Sequence, residues 1–348
     1  MRPVTKTLSI LGSLALVAAL AAFPVLAQTG EPYNGGYSTW TPGDDGRRER
    51  GPRRPRGPEL INVTPGGEAG SINDALERIA PGGTIVLAPG IYREDVTIEK
   101  SVNIRGTRRG EARSEIQPSS GGACLYVSPD VLGAVTVSDV TFRMTALYGS
   151  VPCVVVAGGV FSLKNSRVIA RDNVPGVLLQ GGLVHIEESQ IEGGRFGILV
   201  EPSAPNSGDF YIISNTITRN GTGLRVQGPG SVNAIGNSII SNDGDGMMLF
   251  RAGGTYIANE IGSNGANGIV LNEGSQNPRF VSNRISGNAY AGIYIPLGGA
   301  GIISRNEVIA NGEKGIRCEQ GPCPTLDNNV LKDNKGDEPE RRRGGLFD

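Results

Sequence analysis

One unit recurs along the second half of the chain: Asn-x-Ile-x-x-Asn, a turn, then Gly-Ile-x-Val. It reads "NTITRNGTGLRV" from Asn215, "NSIISNDGDGMML" from Asn237 and "NEIGSNGANGIVL" from Asn259. It continues as "NRISGNAYAGIYI" from Asn283 and "NEVIANGEKGIRC" from Asn306, and a degenerate copy, "NNVLKD", opens at Asn328. The steps between leading asparagines are 22, 22, 24, 23 and 22 residues. Looser copies begin at Ser189 ("SQIEGGRFGILV") and Ser166, with a candidate third at Ser138. Each unit holds two or three apolar stretches of strand length between Gly/Asn turns, and none carries a helical period. A unit this short cannot bury its own apolar face, whereas stacked units bury a continuous core. Units in register stack at the strand spacing, so roughly eight or nine coils make a rod about 40 Å long.

The recurring polar residues then acquire a position. Asn215, Asn237, Asn259, Asn283, Asn306 and Asn328 share one repeat position, where an inward amide can bond the amides above and below it. Asparagine also tolerates the left-handed conformation of a sharp bend. The competing reading is a row of sugar ligands. Asn220, Asn242, Asn264, Asn288 and Asn311 form a second row in the following turn. Gly223, Gly246, Gly268, Gly292 and Gly315 supply positive φ or close backbone approach.

The rest of the chain divides around this stack. Arg2 and Lys6, the apolar run from Leu8 to Ala22 and Val25-Leu26-Ala27 read as a secretory signal cleaved after Ala27. The expected divisions are signal 1–27, linker 28–60, solenoid 61–334 and polar tail 335–348. The linker's "RRERGPRRPRGPE" is too rich in proline, glycine and repelling arginines to bury a core. It reads as a solvated spacer or as a tether to an anionic surface. "SINDALERIA", 71–80, is one short amphipathic helix with Ile72, Ala75, Leu76 and Ile79 on a single face, placed to cap the first coil. The mature chain is expected in the periplasm or outside the cell, with no transmembrane segment. The formal net charge is −1, and no basic stripe marks the solenoid, so nucleic acid is excluded as a partner.

The four cysteines all follow the leader, which points to two disulfides in an exported protein. Cys124 opens "CLYV" and Cys153 opens "CVVV", 29 residues later. Equivalent positions in adjacent coils lie about 5 Å apart, within disulfide reach. That selects Cys124–Cys153 and leaves Cys318–Cys323 as a short staple near the C-terminal end.

The repeats resemble right-handed parallel β-helix repeats of the pectate-lyase-like superfamily over most of residues 61–334. The opening "SINDALERIAPGGTIVLAPGIYRE" is similar to the start of pectin methylesterases and periplasmic β-helix proteins. The resemblance implies an all-β fold, a single right-handed parallel β-helix with a short N-terminal capping helix. It leaves function open, since this fold hosts lyases, hydrolases, esterases, epimerases and binders.

Candidate chemistry centres on His185, the only histidine. Aligning "GLVHIEES" with "GDFYIISN" sets His185 beside Tyr211, with Asn233, Thr255 and Arg279 continuing the column. Asp209 falls on the same face if Ile186 and Ile212 point inward. The apolar Ile213, Ile235 and Ile257 leave that phase open. A histidine base, a tyrosine acid and a charge partner suit abstraction of the C5 proton of a uronate. Alginate epimerases and some lyases of the superfamily use His and Tyr in this way. Their Asp-Pro-His/Phe-Asp motif is absent, as are the paired aspartates of polygalacturonases and the calcium-binding aspartates of pectate lyases. Arg225, Arg279, Tyr294 and Arg317 are the candidate sugar contacts, by stacking and charge.

No metal or cofactor is expected. Asp243-x-Asp245-Gly246 resembles half a calcium loop, but the position that needs glutamate is Ala252. Met144, Met247, Met248 and one histidine are a poor copper set. Two readings follow. One is an exported β-helix that binds polysaccharide or scaffolds cell-envelope components without catalysis. The other is a polyuronate lyase or C5-epimerase using His185 and Tyr211.

Overall fold

The computed structural model describes residues 57–337, apart from 68–69, 146–150, 172, 205–206 and 230. The expected signal with its cleavage after Ala27, nearly all of the linker and the tail from 338 lie outside the described residues.

Three parallel sheets form the walls of a solenoid. Sheet 1 has twelve strands in chain order, from Leu60–Val63 to Thr325–Asp327. Sheet 2 runs from Gly90–Arg93 to Val330–Lys332, with Arg108–Arg109 folded back antiparallel on Ala112–Gln117. Sheet 3 has ten strands, from Val96–Ile98 to Ile316–Cys318. Each strand pairs with the strands one coil before and one coil after it. The stack makes about eleven turns rather than eight or nine. The difference lies in the early coils, where successive sheet 1 positions Leu60, Thr84, Asn103 and Thr136 are 24, 19 and 33 residues apart. No asparagine marks their bends, so the motif is silent there.

The solenoid also extends slightly beyond its expected limits. Its first strand begins at Leu60, and Lys335–Asp337 form a last 3-10 turn. There the Asp337 carboxylate accepts bonds from Gly315 N and Asn334 Nδ2, each at 3.0 Å.

The bends explain the asparagines. A residue in the left-handed region precedes each rung: Ser214, Gly236, Ala258, Ser282, Arg305 and Asn328 all have φ between 50° and 64°. The following asparagine turns inward. Its Oδ1 accepts both the backbone N–H and the Nδ2–H of the rung one coil earlier, at 2.9–3.0 Å. Asn328 is therefore corrected as a rung. It occupies the exposed left-handed position, and Asn329 accepts the bonds from Asn306. Ser189 and Ser166 continue the row toward the N-terminus: Ser189 N donates to Asn215 Oδ1, and the hydroxyls of Ser189 and Ser166 accept from Ser166 N and Val140 N. The second row repeats the scheme between sheets 2 and 3, from Asn220 to Asn334.

The row glycines serve close approach rather than positive φ. A Cβ on Gly268 would lie 2.6 Å from Gly292 O and Ile285 Cγ2, and 2.8 Å from Asn288 Nδ2.

Inside the coil, each strand's inward side chains, one or two per strand, stack on their counterparts in the next coil. Ile217, Ile239, Ile261 and Ile285 are fully buried, and the Tyr256 and Phe280 rings stack with centroids 4.6 Å apart. A buried side chain of this size contributes about 1.5–3 kcal/mol. The helix spans Ile72–Arg78 and is N-capped by Ser71, whose Oγ accepts from Asp74 N. It buries Ile72, Ala75 and Leu76 and packs against the strands Leu60–Val63, Thr84–Leu87 and Val96–Ile98. In chain order it stands where the first coil would otherwise place a sheet 3 strand. Glu94 ties it down by accepting from Ile72 N and Asn73 N at 2.8 and 3.1 Å.

The disulfides join Cys124 to Cys153 across adjacent coils, with Cα atoms 4.8 Å apart, and Cys318 to Cys323 at 5.9 Å.

Candidate functional site

Sheet 1 places His185 and Tyr211. In the strands Gly182–Glu187 and Gly208–Ile213, Val184, Ile186, Phe210 and Ile212 are fully buried. Period-two alternation then sends His185, Tyr211 and Asp209 outward. The half-buried Ile213, Ile235 and Ile257 lie on that outer face too, two residues beyond the His185 column. His185 pairs in register with Tyr211, and the column continues through Asn233, Thr255 and Arg279.

The imidazole and phenol rings stack with centroids 4.7 Å apart and planes within 8°. Each ring covers one face of the other. Nδ1 of His185 lies 3.6 Å from Glu187 Oε1, an ion-pair distance too long for a hydrogen bond. Lys164 Nζ approaches Glu187 at 3.6 Å and Glu188 at 3.8 Å. Asp209 is exposed and pairs in register with Leu183. Among the described residues, no hydrogen bond joins Asp209 to His185 or Tyr211.

The four candidate sugar contacts fall on two different faces. Arg279 is exposed on sheet 1, in the His185 column. Arg225, Tyr294 and Arg317 occupy one outward column of sheet 3, with Met248 and Val270 between them. The Tyr294 hydroxyl donates to Glu319 at 2.7 Å, and the Arg317 guanidinium lies 5.3 Å from the Tyr294 ring centre. That bond raises the Tyr294 pKa and lowers that of Glu319, while the Glu313 carboxylate raises that of Arg317. Arg225 sits 5.0 Å over the Phe196 ring and donates to Gln227 at 3.1 Å; its Nε is buried without a partner.

Phe196, Glu187 and Lys164 are members of these clusters that the sequence reading missed. Extending the alignment that paired His185 with Tyr211 to the coil before would have put Lys164 opposite Glu187.

Other polar groups serve the framework. Asp245 Oδ1 accepts from Asn267 N and Nδ2 at 2.9 and 3.0 Å, so it ties one turn to the next. Glu192 is buried between Arg167 and Arg219. A concavity of about 280 Å³ at the bend between sheets 1 and 2 is lined by Arg113, Asn165, Arg167, Glu188, Gln190 and Thr216. Among the described residues, no helix is long and apolar enough to cross a membrane.

The model of the right-handed β-helix region matches residues 133–301 and, overlapping, 204–342. The chain belongs to the right-handed β-helix family. Solved structures share this β-helix architecture at low sequence identity. The A-module of the mannuronan C-5 epimerase AlgE4 from Azotobacter vinelandii superposes with a TM-score of 0.54 at 16% identity, covering 73% of this chain and 87% of that one. A double mutant of the periplasmic alginate epimerase AlgG gives a TM-score of 0.52 at 14% identity, covering 78% and 83%. At these identities the likeness is one of fold. No curated protein matches the sequence.

Proposed function

We propose that this β-helix is exported and binds a polysaccharide along the outer face of sheet 1, without catalysing its conversion. The observation that carries the reading is the column from His185 through Tyr211, Asn233 and Thr255 to Arg279. A linear polymer lying along the axis meets one hydrogen-bonding side chain per coil, about 4.8 Å apart. Structural neighbours named for action on alginate and mannuronan support a polymer of sugars as the ligand class. The leader sequence and the two disulfides support export.

The charges beside His185 favour binding over uronate chemistry. Asp209, Glu187 and Glu188 stand there against Lys164 alone, whose ammonium already faces both glutamates. A uronate unit placed beside His185 meets net repulsion there, and Arg279, the exposed cation of the same column, lies four coils away from the proton to be abstracted. A neutral or sparsely charged polymer has no such penalty.

The lyase or epimerase reading keeps one specific support. His185 and Tyr211 are adjacent on the outer face of sheet 1, as a base and acid would need to be.

A panel of neutral and acidic polysaccharides in affinity electrophoresis separates the two readings. Binding of a neutral polymer, weakened about tenfold by Tyr211→Ala and by Arg279→Ala, is expected. Unsaturated uronate products absorbing in the ultraviolet, or C5 inversion seen by NMR, each abolished by His185→Ala, would overturn the binding reading.

A further inference from the structure

The outer column of sheet 1 does not end at Arg279. In register it continues through Ile302 to Thr325. The segments leading into the strands Ile302–Ser304 and Thr325–Asp327 line, together with Arg279 and Asn277, a cleft of about 570 Å³. That volume lies in the range of small-molecule sites. Covalent and backbone constraints fix its walls. The Cys318–Cys323 disulfide closes one segment into a short ring. Pro322 and Pro324 flank Cys323, and each proline holds its own φ at about −65°. Gly299 N donates to Pro322 O and Thr325 N to Gly301 O, each at 2.9 Å, which joins the two segments. Gly301 has a φ of 131°, and a Cβ there would lie 2.5 Å from Pro278 O, so only glycine brings this wall so close. Walls formed in advance spare a ligand the cost of ordering them.

The chemistry of the lining is one-sided. Arg279 is the one ionisable side chain among the lining residues. Among the described residues its guanidinium has no ion pair or hydrogen bond, whereas Arg284, in the next strand of the chain, pairs with Glu307. Ala300 N and Gly301 N, also in the lining, donate to no other described group. An unpaired guanidinium near open N–H donors suits a carboxylate, which takes two parallel N–H bonds from arginine. The other end of the column has the opposite sign. Asp209, Glu187 and Glu188 stand beside His185, four coils or about 19 Å away.

Resting on sheet 1 as the polysaccharide track, we infer that the cleft receives the carboxylate of an acidic sugar, and that the polymer spaces its acidic sugars with several neutral ones. With one carboxylate held at Arg279, the units lying back toward His185 have to be neutral, because the carboxylates there repel a second charge. A polyuronate, charged at every unit, fits the cleft and fails along the track. A wholly neutral polymer fits the track and leaves the guanidinium unpaired.

Two measurements on the full chain separate the cleft from the track. The first is an NMR titration with glucuronate, its uncharged methyl ester and glucose. Glucuronate alone is expected to shift the amides of Ala300, Gly301 and Thr325. Arg279→Gln should weaken it tenfold or more, with Arg279→Lys, which keeps the charge and loses the fork, in between. The second compares sparsely acidic polysaccharides, glucuronoxylan among them, with their carboxyl-reduced forms in affinity electrophoresis. The parent should bind an acidic form about tenfold more tightly than its reduced form, and Arg279→Gln should bind the two equally. Equal binding of both forms by the parent, or glucuronate that moves nothing in the cleft, overturns the inference while the track stands. Glucuronate shifts in the cleft with no polymer bound in either form would instead overturn the track, and with it the spacing of the acidic sugars.

Discussion

Asn259 makes four side-chain hydrogen bonds, all at 2.9 Å: it accepts two from Asn237 and donates to Ala234 O and Asn283 Oδ1. Alanine there strands donors and acceptors on both neighbouring coils. An unsatisfied buried group costs about 1–3 kcal/mol, so Asn259→Ala should lower unfolding free energy by about 3 kcal/mol or more in denaturant titration. Asn328 and Asn329 make a sharper comparison. Asn329→Ala should behave like an end rung, whereas Asn328→Ala should cost only about 1 kcal/mol, the penalty of a left-handed alanine. Both asparagines fit the repeat by type, and sequence order alone favoured the first. What distinguishes them is φ, which residue identity does not encode.

Two tyrosines add a pH dependence. Burial pushes the Tyr92 hydroxyl up to about 12, and burial raises Tyr256 far above its ordinary value. Both stay neutral in the fold while the unfolded chain ionises near pH 10. Their contribution is fully present below pH 10 and is lost as pH rises through the folded values. Stability followed by circular dichroism should fall above pH 10, and the fall should be shallower in Tyr92→Phe.

At the scale of the element, each sheet owes its register to the coils on either side. Cys124 and Cys153 immediately precede the paired sheet 3 strands Leu125–Val127 and Val154–Val156, in the region where the coil lengths vary most and no asparagine row supports the bends. Replacing both by serine should cost about 2–4 kcal/mol, read as a drop in melting temperature that reductant reproduces in the parent protein. That pairing was legible because both cysteines open near-identical apolar triplets. The face carrying His185 was not, since its strand also holds outward isoleucines in the coils that follow. Parallel neighbours shield such side chains above and below, so an outward isoleucine costs little here and alternation loses its contrast. The split of Arg225 and Arg279 onto separate sheets was hidden for a related reason. One follows a Gly-Leu turn and the other precedes an apolar pair, and the period alone does not say which wall each stretch joins.

For the whole molecule, contacts run almost wholly between successive coils, so stability is close to a sum of coil terms and interfaces. Deleting residues 237–258, one period of 22 residues between Asn237 and Asn259, brings Gly236 to Asn259 and restores both asparagine rows. That variant should fold, with the parent's circular dichroism shape and a lower melting temperature. Deleting half as many residues from the same place should give insoluble or unfolded chain. The fold was legible at this scale because one rule, repeated, leaves little else to determine. The number of turns was underestimated because the first coils follow the rule in space without its asparagines.

The rungs also share an orientation. The amide oxygens of both rows face the first coil, and each NH₂ group from Asn215 to Asn306 and from Asn220 to Asn311 gives one hydrogen to the next rung toward the last coil and the other to a carbonyl of the coil before. Two columns of aligned dipoles make the solenoid electrically polar along its axis, positive toward its C-terminal end, as aligned peptides do in a helix. At that end the Asp337 carboxylate accepts the final NH₂ of the second column, from Asn334. An anion therefore closes the field where it is most positive.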